Sequence, residues 1–153
     1  PVDVLIVQGN HDYETMWMIG EMLDAYYINS NVVTVDNSPK QRKYYSYGKN
    51  GFMYVHGNEE KHSELGLIFA TEQPDLWAKS TATRTAKLGH FHKNKKLNFI
   101  SVDENTGFTL QILPSLSGTD FWHNSKGYFS KKAAKAFLYD KNYGLCAEYT
   151  YNI

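Results

Sequence analysis

The 153-residue sequence has a single cysteine, Cys146, which excludes an internal disulfide and any thiolate-rich zinc site. A bound metal would have to take nitrogen and oxygen ligands from His, Asn, Asp and Glu. Proline is scarce, at four residues, and no uncharged apolar run approaches the roughly 18 residues of a membrane-spanning helix. An excess of one charge is missing too. Sixteen Lys and Arg balance 16 Asp and Glu, so bulk attraction to nucleic acid is disfavoured and phosphate chemistry would have to come from a specific site. Pro1 to Val4 include no basic segment followed by an apolar one of signal-peptide type, and with one cysteine the sequence reads as cytoplasmic, without a membrane partner. What is present is 42% hydrophobic and 21% charged residues, with 12 Tyr, 8 Phe and 3 Trp, the composition of one globular domain large enough to bury a core.

Val4-Leu5-Ile6-Val7 is a continuous β-branched run that reads as a strand buried on both faces, ending at Gln8-Gly9. From Asp12, the residues Met16, Ile19, Leu23, Tyr26 and Tyr27 recur at helical spacing, and Asn29-Ser30-Asn31 ends that helix. Val32 to Val35 predicts a second strand, followed by a basic loop containing Lys40, Arg42 and Lys43. Tyr44 to Tyr47 and Phe52 to Val55 flank Gly48-Lys49-Asn50-Gly51, a hairpin signal. Leu65, Ile68, Phe69 and Leu76 predict a helix that Pro74 kinks or ends. Ala86 to Leu88 then leads as a strand into Gly89-His90-Phe91-His92. Beyond it the texture is all-β, with strands expected at Leu97 to Val102, Phe108 to Leu113, Ala134 to Tyr139 and Leu145 to Tyr151. The expected fold class is α/β with a β-rich end.

Four of the six histidines, His11, His56, His90 and His92, fall at or just past the C-terminal ends of these strands, where α/β folds place their active-site loops. Imidazole is the commonest ligand for first-row transition metals, and with the oxygen of Asn10 such a set suits Mn²⁺, Fe²⁺ or Zn²⁺. On an extended strand His90 and His92 would share a face, whereas on a loop they could splay toward two separate ions. His62, after Glu59-Glu60-Lys61, reads as a solvated loop residue. His123, in Asp120-Phe121-Trp122-His123, reads either as a cleft residue or as part of an aromatic turn packed on the core. Lys93-Asn94-Lys95-Lys96 and Lys131-Lys132-Lys135 are surface charge that a nucleic-acid backbone could use, Lys93 being nearest the histidines.

Gly9-Asn10-His11-Asp12, then His56-Gly57, then Gly89-His90-Phe91-His92 resemble, in that order, the calcineurin-like metallophosphoesterases, whose signature ends in G-N-H-D/E, a lone His and G-H-x-H. The phrase from His56-Gly57 through Pro74-Asp75-Leu76-Trp77 to His92, with Leu113-Pro114-Ser115-Leu116-Ser117-Gly118-Thr119-Asp120 after it, is most similar to the family's phage and prophage branch. The resemblance implies an α/β/β/α sandwich of mixed sheets and two divalent metal ions, Mn²⁺ first, with Fe²⁺, Zn²⁺ or Ni²⁺ as alternatives. It makes Asn10, His56 and His90 ligands of one ion and His92 a ligand of the other. His11 is left as the non-ligand acid beside the scissile phosphate, and Asp12 as the group that orients it. The implied activity is metal-dependent hydrolysis of a phosphoester, with a nucleic-acid phosphodiester as the first substrate expectation.

The family's upstream motifs, D-x-H and G-D-x-x-D, do not occur: no Asp is followed two places on by His, and no Gly-Asp dipeptide exists. Residues 1–153 are therefore expected to form the C-terminal portion of one metallophosphoesterase domain, partnered by an N-terminal segment of the parent chain that carries the bridging aspartate. On that expectation the chain alone is inactive. The alternative from another class is a non-catalytic nucleic-acid or protein interaction module on the same fold.

Overall fold

The computed structural model describes residues 1–90, 107–116 and 132–153 in full and the backbone of Lys95–Leu97. His92, Lys93 and His123, the remainder of the strand expected up to Val102, Lys131 and Ser117 to Asp120 lie outside the described residues.

Strand β1 (Val2–Leu5) pairs in parallel with β2 (Val33–Asp36), and helix α1 (Tyr13–Tyr27) crosses between them. The helix begins where Asp12 predicts and ends at the expected polar turn, in which Ser30 Oγ accepts hydrogen bonds from the Val32 and Val33 amides at 3.2 and 3.0 Å. Gly20 is buried where α1 lies against Asn37, whose Nδ2 donates to Trp17 O and Glu21 Oε1 at 3.1 and 2.8 Å. Met16, Leu23 and Tyr27 share that side, whereas Ile19 and Tyr26, expected in the apolar stripe, project from the flank and stay exposed. The expectation that the first strand is buried on both faces is corrected as well. With a single neighbouring strand among the described residues, Val4, Leu5 and Val7 are half-buried, and the buried residue of that run is Ile6, one position past β1.

The second sheet is mixed, in the order β3-β4-β5-β7-β6, built from β3 (Arg42–Tyr47), β4 (Asn50–Val55), β5 (Thr83–Leu88), β6 (Lys95–Leu97) and β7 (Phe108–Ile112). The β3–β4 hairpin turns at Gly48, whose φ of +59° is open to glycine without steric cost. Arg42 and Lys43, expected in a loop, lie in β3 because each reaches a carboxylate. Lys43 Nζ sits 2.9 Å from Asp36 Oδ1 at the end of β2, and Arg42 holds Glu60 and Glu72. Asp36 is kept ionised below the usual carboxylate range: burial pushes it up, but hydrogen bonds from Ser38 and Lys43 outweigh that. Helix α2 (Leu65–Glu72) stops before Pro74, which opens α3 (Pro74–Lys79) at a position where its missing N–H costs nothing.

Alternation along β4, β5 and β7 sends Met53, Val55, Ala86, Leu88 and Leu110 to one face, where they pack with Leu65 and Phe69. The other face, with Phe52, Thr85 and Lys87, meets the antiparallel pair β8 (Ala133–Asp140) and β9 (Gly144–Asn152), as in the edge-to-face contact of Phe52 with Tyr139 at 4.7 Å. The sheet is thus covered by helices on one side and a hairpin on the other, and the molecule is a mixed α/β structure with several sheets and few helices. Among the described residues no helix is long and apolar enough to cross a membrane.

Candidate metal centre

Parallel pairing of β4 with β5 sets Val55 opposite Leu88, so the residues that follow leave the sheet at the same edge. His56 is the first residue past β4 and His90 the second past β5. The loop Ile6 to Asp12, after β1, brings Asn10 to the same place. His56 Nε2 is 2.9 Å from Asn10 Oδ1 and 3.3 Å from His90 Nδ1, and the two imidazole rings stand 5.1 Å apart at 71°. Three of the expected ligands, drawn from positions 46 and 34 residues apart, therefore converge.

Two glycines make that approach feasible. A Cβ on Gly9 would stand 2.8 Å from His56 Cε1 and 2.6 Å from Asp12 Oδ1, so only the bare backbone fits against the ring. Gly57 turns the chain away directly after His56 with a φ of +93°, and a Cβ there would meet Leu88 Cδ2 at 2.7 Å. His90 is the one described non-glycine residue with positive φ, at +49°, a conformation that sites which must aim a side chain often retain.

Asp12 Oδ1 accepts the Gly9 amide proton at 2.7 Å, closing the loop on itself and fixing the position of Asn10 between them. This is the bond the structure gives the Asp12 carboxylate. His11 is exposed, as is Asn10 before it in the chain. His62, expected in a solvated loop, is half-buried in a 3₁₀ turn at His62–Glu64, because that turn leads directly into α2 and its buried Leu65.

Both separations at His56 Nε2 are hydrogen-bond lengths, and they are also separations that two ligands of one ion can have. Ligands about 2.0–2.1 Å from one ion stand about 2.9 Å apart at a right angle and about 3.3 Å apart at the tetrahedral angle. Those separations match the two found around His56 Nε2. The set holds two imidazoles and one amide oxygen; among the described residues no group of three or more His, Cys, Asp or Glu side chains forms a cage.

Beside the cluster opens a cavity of about 240 Å³, lined by Gly9, Asn10 and His56 and also by Tyr13, Gln41, Asn58 and Glu59. Sequence reasoning passed over these last four, since isolated Gln, Asn and Glu in polar stretches carry no periodicity or spacing. The signal that could have found them is adjacency, because Tyr13 and Asn58 each lie within three positions of a motif residue. Near the cavity, Arg42 is held firmly protonated, chiefly by hydrogen bonding to Glu72 and also by Glu60, and Glu72 is correspondingly lowered. No family model, curated protein or solved structure matches the chain.

Proposed function

We propose that the three strand-end loops form one half of the metal site of a calcineurin-like phosphoesterase, in which Asn10, His56 and His90 hold a divalent ion and His92 contributes to a second. Convergence of Asn10 Oδ1 and His90 Nδ1 on His56 Nε2 is the observation that carries this reading. Mn²⁺ suits the nitrogen and oxygen donors; when bound, such ions clamp phosphoryl oxygens and lower the pKa of coordinated water. The chain's own residues supply the rest. His56 and His90 orient the substrate's phosphoryl group at the sheet edge, and the Asp12–Gly9 bond holds the loop rigid beneath it. His11, exposed next to Asn10, donates a proton to the leaving oxygen. The fold that goes with this reading is the α/β/β/α sandwich, and Lys93 and His123 are its proposed substrate-binding residues. A nucleic-acid phosphodiester is the proposed substrate class. In this reading the bridging carboxylate belongs to the family's D-x-H and G-D-x-x-D motifs, which do not occur here; the second reading is a binding module that holds a phosphate without turning it over.

Equilibrium dialysis of radiolabelled inorganic phosphate tests the site. Phosphate retention should require Mn²⁺ and fall about tenfold or more in His90→Ala. Equal retention without Mn²⁺, or by His90→Ala, would contradict it.

A further inference from the structure

The polarity of hairpin β8–β9 is inverted for a sheet with one face in water. Its inner face, which meets the central sheet through Phe137 and Tyr139, also carries the ion pair of Lys135 with Glu148 and covers Lys87. Between Lys132 and Asp140 its outer face carries no charged side chain. There the register sets Ala134 beside Tyr151, Ala136 beside Tyr149 and Leu138 beside Ala147. An antiparallel sheet normally turns polar residues to the solvent, yet Leu138 is 56% exposed, Tyr149 61% and Tyr151 72%.

Area, charge and shape together select the occupant of this face. A whole aromatic side chain covers about 150–250 Å², so the exposed parts of Tyr149, Tyr151, Leu138 and Ala136 offer roughly 500 Å². Two such faces pressed together bury about 1,000 Å², where specific protein interfaces begin and association is weak. A charge-free face meets its own copy without repulsion, whereas a charged partner would leave its charges unpaired there. In shape, β9 presents a ridge, Tyr149 and Tyr151, and β8 a trough beside it, Ala134 and Ala136. A two-fold axis parallel to the strands lays each ridge in the opposite trough, Tyr149 over the partner's Ala136 and Tyr151 over the partner's Ala134. We infer that the outer face of β8–β9 is a homodimer interface, in which the hairpins of two copies pack face to face about 10 Å apart. It draws on none of the residues of the metal centre.

Sedimentation equilibrium of the chain tests this, in reducing buffer so that the exposed Cys146 cannot link copies through a disulfide. The average mass should climb from that of one chain at about 5 µM toward that of two at about 500 µM, and level off there because a two-fold contact is closed. Tyr149→Lys sets a charge in the interface, and Ala136→Trp fills the trough without adding one. Each should weaken dimerisation by about tenfold or more. Tyr26→Lys adds the same charge on α1, at a position 79% exposed, and should leave dimerisation unchanged. Far-UV circular dichroism establishes which variants fold, and either interface variant that folds decides the matter. A single chain still at about 500 µM, growth beyond two copies, dimerisation that survives a folded interface variant, or dimerisation lost in Tyr26→Lys would overturn the inference.

Discussion

Gly57 joins two requirements in one residue, a φ of +93° and a Cβ position 2.7 Å from Leu88 Cδ2. Gly57→Ala should therefore destabilise the protein by about 1–3 kcal/mol and, by shifting His56, weaken Mn²⁺ binding as well. Gly107→Ala, where a Cβ would meet nothing within 4 Å, should do neither, and thermal melts with metal titration of the two variants check the contrast. Lys87 makes a second residue-scale test. It is buried with Nζ 3.1 Å from the Phe137 ring centre, and burial, with a smaller push from Lys135 against the pull of Glu148, lowers its pKa from 10.5 to about 8. The folded protein thus binds fewer protons at this site than the unfolded chain between pH 8 and 10.5. Its contribution to stability is lowest below pH 8, rises through that window and levels off above it. Lys87→Met should raise the urea midpoint more at pH 7 than at pH 9.5, and a pH-independent offset would contradict the assignment. The tyrosines raised by burial, Tyr54 to about 12 among them, titrate in both proteins alike and cancel in the difference. Asn10, His56 and His90 were legible in the sequence because each is adjacent to a glycine at a strand end. Lys87 was not, since a lysine inside Ala86-Lys87-Leu88 looks like an outward-facing residue until β8 and β9 cover that face.

Among the elements, the hairpin β8–β9 reaches the central sheet through Asn50, which is fully buried at the start of β4. Its Nδ2 donates to Tyr47 O and Asp140 O at 2.9 and 2.8 Å, and its Oδ1 accepts from Thr83 at 2.8 Å. Asn50→Ala removes the hydrogen bonds to Tyr47 O, Asp140 O and Thr83 Oγ1 and should cost about 1–3 kcal/mol. Amide exchange should quicken in Gly144–Asn152 more than in Thr83–Leu88; a uniform change across both would mean that Asn50 does not pin the hairpin in particular. Sequence periodicity located β4, β5, β7 and both helical regions because their apolar residues repeat against one continuous core. It placed Arg42 and Lys43 in a loop because their partners Glu60, Glu72 and Asp36 come from elements far along the chain. The α1 stripe was drawn too wide for a similar reason, as only tertiary contact with Asn37 decides which apolar side faces inward.

Across the whole molecule, the parallel arrangement of β1 with β2 and of β4 with β5 directs the loops after β1, β4 and β5 to one place. Tyr45, whose hydroxyl donates to Asp3 Oδ2 at 2.7 Å, and Lys43, bound to Asp36, tie the small sheet to the large one, so the position of Asn10 depends on both. The order of the three motifs could be read from the sequence, but their meeting point could not, because it follows from strand pairings that no local pattern encodes. The most direct test of the metal centre is paramagnetic broadening by substoichiometric Mn²⁺, followed on the histidine side chains. Preferential broadening of His56 and His90 over the half-buried His62, abolished in His56→Ala, is the result expected. Broadening spread evenly over His11, His62 and the acidic surface, or unchanged in His56→Ala, would contradict the metal centre.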